Sequence, residues 1–126
     1  MEITHLDHFV LTVSDISTTL AFYNQVLGMD ILQSEDHRFA LQFGHQKINL
    51  HQYGKEFEPK ANYAIPGSAD LCFVTKTPLH RVIQELQENG INVFEGPIER
   101  AGAFGTILSV YFRDPDQNLL EVSNYV

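Results

Sequence analysis

The sequence predicts an α+β fold made of two tandem βαβββ modules, and three observations carry that reading. First, a strand–helix–three-strand order of apolar patterns runs through residues 6–53 and again through 69–124. Second, a shift of 62 positions superposes His8 on Asp70, Val13 on Thr75 and Gly28 on Gly90. Each half thus sets a polar residue early in a strand and a helix-ending glycine 20 positions later. Third, a polar, proline-containing stretch with Lys55, Glu56, Glu58, Pro59, Lys60 and Pro66 lies between the repeats. These signals place module one at 1–54, a crossover linker at 55–67 and module two at 68–126.

Element by element, residues 6–13 are apolar and β-branched and read as a strand ending at Ser14. Asp15 is a good N-cap, after which Ile16, Leu20, Phe22, Tyr23 and Leu27 recur at helical spacing. Gly28 stops that helix. Short strands follow at 30–34, 38–43 and 48–53, with Gly44, His45 and Gln46 as the turn between the last two. In the second half, 69–75 reads as a strand, and Pro78 opens a helix whose apolar stripe is Leu79, Val82, Ile83 and Leu86. Gly90 closes it, and strands follow at 93–98, 107–112 and 119–124. Asp114, Pro115, Asp116, Gln117 and Asn118 make the turn joining the last two.

Composition narrows the function. A lone module of about 60 residues would bury too little surface, so the two halves are expected to act as one domain. A hydrophobic content of 44%, with nine Phe and five Tyr, suffices for a core. The formal charge of −8 and the scatter of the eight basic residues speak against nucleic acid as a partner. The apolar runs are a few residues long, far short of the roughly 20 that a membrane-spanning helix needs. The first residues lack the basic and apolar regions of a signal peptide, and the single Cys72 cannot form an internal disulfide. A reducing, cytoplasmic setting is expected.

Strand alternation locates the candidate chemistry. His8, Val10 and Thr12 share one face of the first strand, opposite Phe9, Leu11 and Val13. Asp70, Cys72 and Val74 do the same in the fifth. The last strand of each module carries His51 and Glu121, so four metal-capable side chains stand one per strand at places expected to be equivalent. Two imidazoles and two carboxylates suit a divalent Ni, Co, Mn, Fe or Zn ion with open coordination positions. Such an ion polarises substrate oxygens or activates water. The same alternation assigns Val10, Thr12, Asn49, Tyr53, Cys72 and Ser123 to the pocket wall, with Phe104 on a rim loop. Each of these residues also has a plainer reading. A strand histidine is usually structural, and Cys72 between Leu71 and Phe73 reads as a small packed hydrophobe.

Three fragments in order resemble the vicinal oxygen chelate superfamily of glyoxalases, bleomycin-resistance proteins and dioxygenases. They are the strand from Leu6 to Asp15, the helix end Phe22-Tyr23-Asn24-Gln25-Val26-Leu27-Gly28-Met29, and the hairpin from Phe112 through Asp114-Pro115-Asp116 to Glu121. The stretches from Phe43 to His51 and from Gly54 to Ala61 are similar to the glyoxalase-domain-containing protein 5 type. The resemblance implies a cup-shaped mixed sheet, a homodimer, a small-molecule substrate and a divalent metal. His8 matches the family's first-strand ligand and Glu121 its final carboxylate. His51 falls on the strand where glyoxalase I has Glu, and Asp70 where the family has His.

Without Asp70, the set His8, His51 and Glu121 is the two-His, one-carboxylate arrangement of non-haem iron oxygenases. The function the resemblance implies first is a metal-dependent, glyoxalase-like lyase or isomerase. Its substrate carries vicinal oxygens, glutathione is a candidate partner and Glu121 moves the proton. The alternatives are a metal-free drug-binding protein of the bleomycin-resistance type, an iron dioxygenase, and thiol transfer to fosfomycin.

Overall fold

The computed structural model describes every residue, Met1–Val126. It divides into two units, Met1–Pro66 and Gly67–Val126, and each is a βαβββ module with an open four-stranded sheet. The first contains β1 (His8–Val13), α1 (Ile16–Gln25), β2 (Asp30–Gln33), β3 (Phe39–Phe43) and β4 (Gln46–Gln52). The second contains β5 (Asp70–Val74), α2 (Leu79–Glu88), β6 (Glu95–Ala101), β7 (Thr106–Arg113) and β8 (Leu119–Tyr125). No helix is long and apolar enough to cross a membrane.

Strand order is the same in both units. The last strand inserts beside the first and pairs with it in parallel, giving β1-β4-β3-β2 and β5-β8-β7-β6. Period-two alternation then sorts the side chains. In the first unit Leu11, Val13, Leu41, Ile48 and Leu50 are buried on the face that α1 covers with Leu20 and Tyr23. In the second, Val110, Phe112, Leu120 and Val122 are buried beneath Leu79, Val82 and Leu86 of α2. The opposite faces carry the polar residues.

Each helix start is tied to the end of the strand that completes its module. Asp15 caps α1 as its sequence predicts, its carboxylate accepting from the Thr18 backbone N–H at 3.0 Å. The Ile16 N–H donates to Gln52 Oε1 at 3.2 Å, while the Gln52 amide donates to the Ser14 carbonyl. Asn124 repeats this in the second unit. Its Oδ1 accepts from the Leu79 N–H at 3.1 Å, and its Nδ2 donates to the Thr75 and Thr77 carbonyls at 2.9 Å. Pro78, expected inside the first helical turn, sits one position before α2 and offers no side-chain cap. Asn124 takes the role that a serine or aspartate would have filled.

The Asp114 turn closes the β7–β8 hairpin. Buried Asp114 accepts from the Asp116 and Asn118 N–H groups through Oδ1 and from Asn118 Nδ2 through Oδ2, at 2.8–3.0 Å. Asn118 Oδ1 in turn accepts from the Ala69 N–H at 2.9 Å, fixing where β5 begins. Strand β6 starts later and runs further than its expected 93–98, because its register with β7 shifts between Glu95 and Ile98. Gly96 makes that shift possible. Its φ is +99°, and a Cβ there would stand 2.2 Å from the Ser109 carbonyl oxygen.

Asn124 replaces three backbone partners at once, so Asn124→Ala should lower stability by about 2–4 kcal/mol in urea denaturation. Gln52→Ala, with two such bonds, should cost about half as much. Equal and negligible effects would show that neither clamp matters.

Candidate functional site

The polar face of the first unit is built by β1 and β4. Their register sets His8 level with Lys47, Val10 with Asn49 and Thr12 with His51. His51 is 9% exposed. Its ring makes a T-shaped contact with Phe57 at 5.6 Å, and the Arg38 guanidinium lies over the Phe57 ring, 4.0 Å from its centre. Burial holds the His51 pKa below its ordinary value and nearby Arg38 adds to this, against an opposing pull from Glu56. His51 is therefore neutral at neutral pH. With Arg38, Lys47, Asn49 and Phe57 it lines a cleft of about 450 Å³.

His8 stands apart. Its Nδ1 pairs with Asp7 at 2.8 Å near the exposed start of β1. It lies four residues along β1 from the level of His51, about 13 Å by the rise of a strand.

In the second unit Glu121 is level with Cys72 on one side and Tyr111 on the other, and Ser123 is level with Val74 and Ser109. A hydrogen-bonded cluster results. Ser123 Oγ lies 2.6 Å from Ser109 Oγ and 3.4 Å from Cys72 Sγ, and it donates to Glu121 Oε2 at 3.4 Å. Arg100 Nε donates to the Tyr111 hydroxyl at 3.0 Å and its Nη2 reaches Glu95 at 3.5 Å. Burial raises the pKa of the Cys72 thiol, opposed by its Ser123 hydrogen bond and reinforced by the negative charge of Glu121. It is a thiol and not a ready nucleophile. Burial likewise raises the pKa of Tyr111, partly offset by Arg100. Cys72, Arg100, Tyr111 and Glu121 line a cleft of about 560 Å³.

The register corrects one expected equivalence. His8 and Asp70 do correspond, each opening the first strand of its module. His51 and Glu121 do not: the counterpart of Glu121 is Asn49, and that of His51 is Ser123. Between the first strands corresponding positions differ by 62 (8 to 70), but between the last strands by 72 (49 to 121), because the second module is ten residues longer between these strands. A symmetric ligand pair on the last strands is therefore lost.

Of the other expected pocket residues, Asn49 and Cys72 each line one of the two clefts. Thr12 and Ser123 are buried, and Val10 is exposed on the polar face. Tyr53 lies just past β4, and Phe104 is 94% exposed on the β6–β7 turn. Phe57, Tyr111 and Ser109 are not among the residues expected in the pocket, and Arg38 and Arg100 are two of the chain's eight basic residues. Tyr111 and Ser109 were findable, since they mirror Glu121 and Ser123 about Asp116 in the hairpin. Arg100 was hidden by the β6 register shift, and Phe57 by the irregular segment that carries it.

A divalent site needs three or four donors in one place. Neither unit gathers three His, Cys, Asp or Glu side chains that could hold a metal ion. The first offers His8 and His51, too far apart to chelate together. The second offers Asp70 and Glu121, diagonal neighbours about 7–8 Å apart at the backbone. The donor types suit a metal, but their grouping within each unit does not.

This architecture, together with sequence similarity across residues 5–122, identifies the class: the chain belongs to the Glyoxalase/Bleomycin resistance protein/Dioxygenase superfamily. It is 58% identical to virulence protein STM3117 of Salmonella typhimurium over all 126 residues, which cover 88% of that protein. The crystal structure of that relative superposes with a TM-score of 0.98 over the whole of both chains. Glyoxalase domain-containing protein RDO1 of Mycosarcoma maydis is 54% identical over 99% of this chain and 70% of its own length. Metallothiol transferase FosB of Staphylococcus epidermidis is 32% identical over 97% of this chain and 82% of its own length.

The depressed pKa of His51 sets a pH dependence with a definite sign. Protonation is resisted in the folded state, so the His51 contribution is fully present above the unfolded pKa of about 6.5 and is lost as pH falls through the lower folded value. Urea midpoints measured from pH 7.5 to 5 should drop less in His51→Gln than in the parent. Parallel curves would refute the assignment.

Proposed function

We propose that the protein is a glyoxalase-like lyase or isomerase acting on a small substrate with oxygens on adjacent carbons. The observation that carries this reading is Glu121 in the second cleft, flanked by Cys72 and Tyr111 and bonded by Ser123. A carboxylate at the wall of a small-molecule cleft can take a proton from one carbon and return it to its neighbour. Tyr111 receives the Arg100 N–H and shares a side-chain hydrogen bond with Glu121, which ties the phenol to the carboxylate proposed to move the proton. Glutathione is the candidate thiol partner, and a homodimer in the cytoplasm is the proposed setting.

The proposal includes a divalent ion with donors drawn from His8, His51, Asp70 and Glu121. The similarity to FosB, a metallothiol transferase by name, supports it. Because neither unit assembles three of those donors, no step is assigned to the ion. A second reading is a metal-free binding protein, supported by His51 and Asp70 standing where the resemblance implies Glu and His.

Metal analysis of the purified protein separates the two. Stoichiometric Ni, Co, Mn, Fe or Zn, lost in His8→Ala, supports the enzyme. Metal-free protein that sequesters a small molecule without turnover supports the second reading. For methylglyoxal with glutathione as first substrate pair, Glu121→Gln should lower kcat by about 10²–10⁴-fold. An unchanged kcat in that variant would remove Glu121 from the chemistry.

A further inference from the structure

We propose that the cleft of the first unit is a binding site for a small organic anion, with an acidic head group held by Arg38 and Lys47 and an apolar body lying on Phe57. The charge pattern points there. Acidic residues outnumber basic ones 16 to 8 in this chain, yet the cleft is lined by two cations, Arg38 and Lys47, against one carboxylate, Asp36. The cleft of the second unit has one of each, Arg100 and Glu121. A local excess of positive charge in an acidic protein attracts anions to that one place.

The geometry fits the head group. Asp36 accepts from Arg38 Nε at 2.9 Å, and Phe57 covers one guanidinium face at 4.0 Å. These two contacts fix the orientation of Arg38 and leave its terminal nitrogens as free donors, in the fork that matches a carboxylate or phosphonate. Lys47 makes no ion pair and projects from the polar face, beside Asn49 on β4. Its ammonium is a second point of attraction on the same cleft.

The geometry also fits the body. Phe57, held by its contacts with Arg38 and the His51 ring and still 37% exposed, offers an aromatic wall, and Leu32, Phe39 and Ala40 add apolar surface. At about 450 Å³ the cleft holds a ligand the size of a substituted benzoate. The inference uses neither Glu121 nor its cleft, and His51 enters it only through its contact with Phe57, so failure of the proton-transfer reading leaves it standing.

The test is an NMR titration of the ¹⁵N-labelled full chain with benzoate, phenylphosphonate, benzamide and inorganic phosphate. Benzoate and phenylphosphonate should shift the amides of Arg38, Lys47 and Phe57, with benzamide at least about tenfold weaker because it has no charge to pair. Arg38→Gln and Lys47→Gln should each weaken benzoate by about fivefold or more, while Arg100→Gln leaves it unchanged. Phe57→Leu should weaken benzoate and phenylphosphonate by a larger factor than inorganic phosphate. Spectral dispersion of each variant reports its folding. Equal binding of benzamide, indifference to Arg38 and Lys47, inorganic phosphate as tight as phenylphosphonate, or no saturable shift would each overturn the proposal.

Discussion

The parallel pairing of each module's last strand with its first is the constraint on which the rest depends. Inserting β4 beside β1, and β8 beside β5, places residues far apart in sequence level with one another on one polar face. Thr12 meets His51, and Cys72 meets Glu121, through backbone hydrogen bonds alone. Slipping such a ladder by one residue would turn every one of these side chains into the helix-covered face. The amides of Gln52 and Asn124 guard against that, because each bonds the first turn of its helix only when its strand is seated in register. Turn, cap and strand end thus specify a single arrangement by agreeing with one another.

Much of the architecture was legible in the sequence because its signals are local. The apolar stripe of α1, the Asp15 cap and the Gly28 and Gly90 stops need only nearest neighbours to act. The Asp114 turn is legible too, since a short carboxylate and two nearby N–H groups define it. The capping of α2 and the extent of β6 depart from expectation where a distant partner decides the outcome. Asn124 is 45 residues from the Leu79 N–H it satisfies. The β6 shift exists because Gly96 lets the chain approach Ser109.

The candidate site was legible by face but not by level. Alternation correctly sets His8, Val10 and Thr12 together and Asp70 with Cys72, since period two is a property of any strand. Which residue on the last strand stands opposite which on the first depends on the length of everything between them. That length differs between the modules, so Asn49 and not His51 mirrors Glu121. Arg38 and Phe57 shape the His51 environment from outside the alternating pattern, and no periodicity announces them.

Strands β4 and β8 have partners on both sides, and their side chains play no part in those ladders. Asn49, only half-buried, can be exchanged for a residue of similar size with its ladder intact, whereas His51 also packs against Phe57. A duplicated scaffold of this kind can re-equip one half while the other keeps its original tools. Asn49 against Glu121, and His51 against Ser123, show how far the side chains at matching positions differ between the two halves.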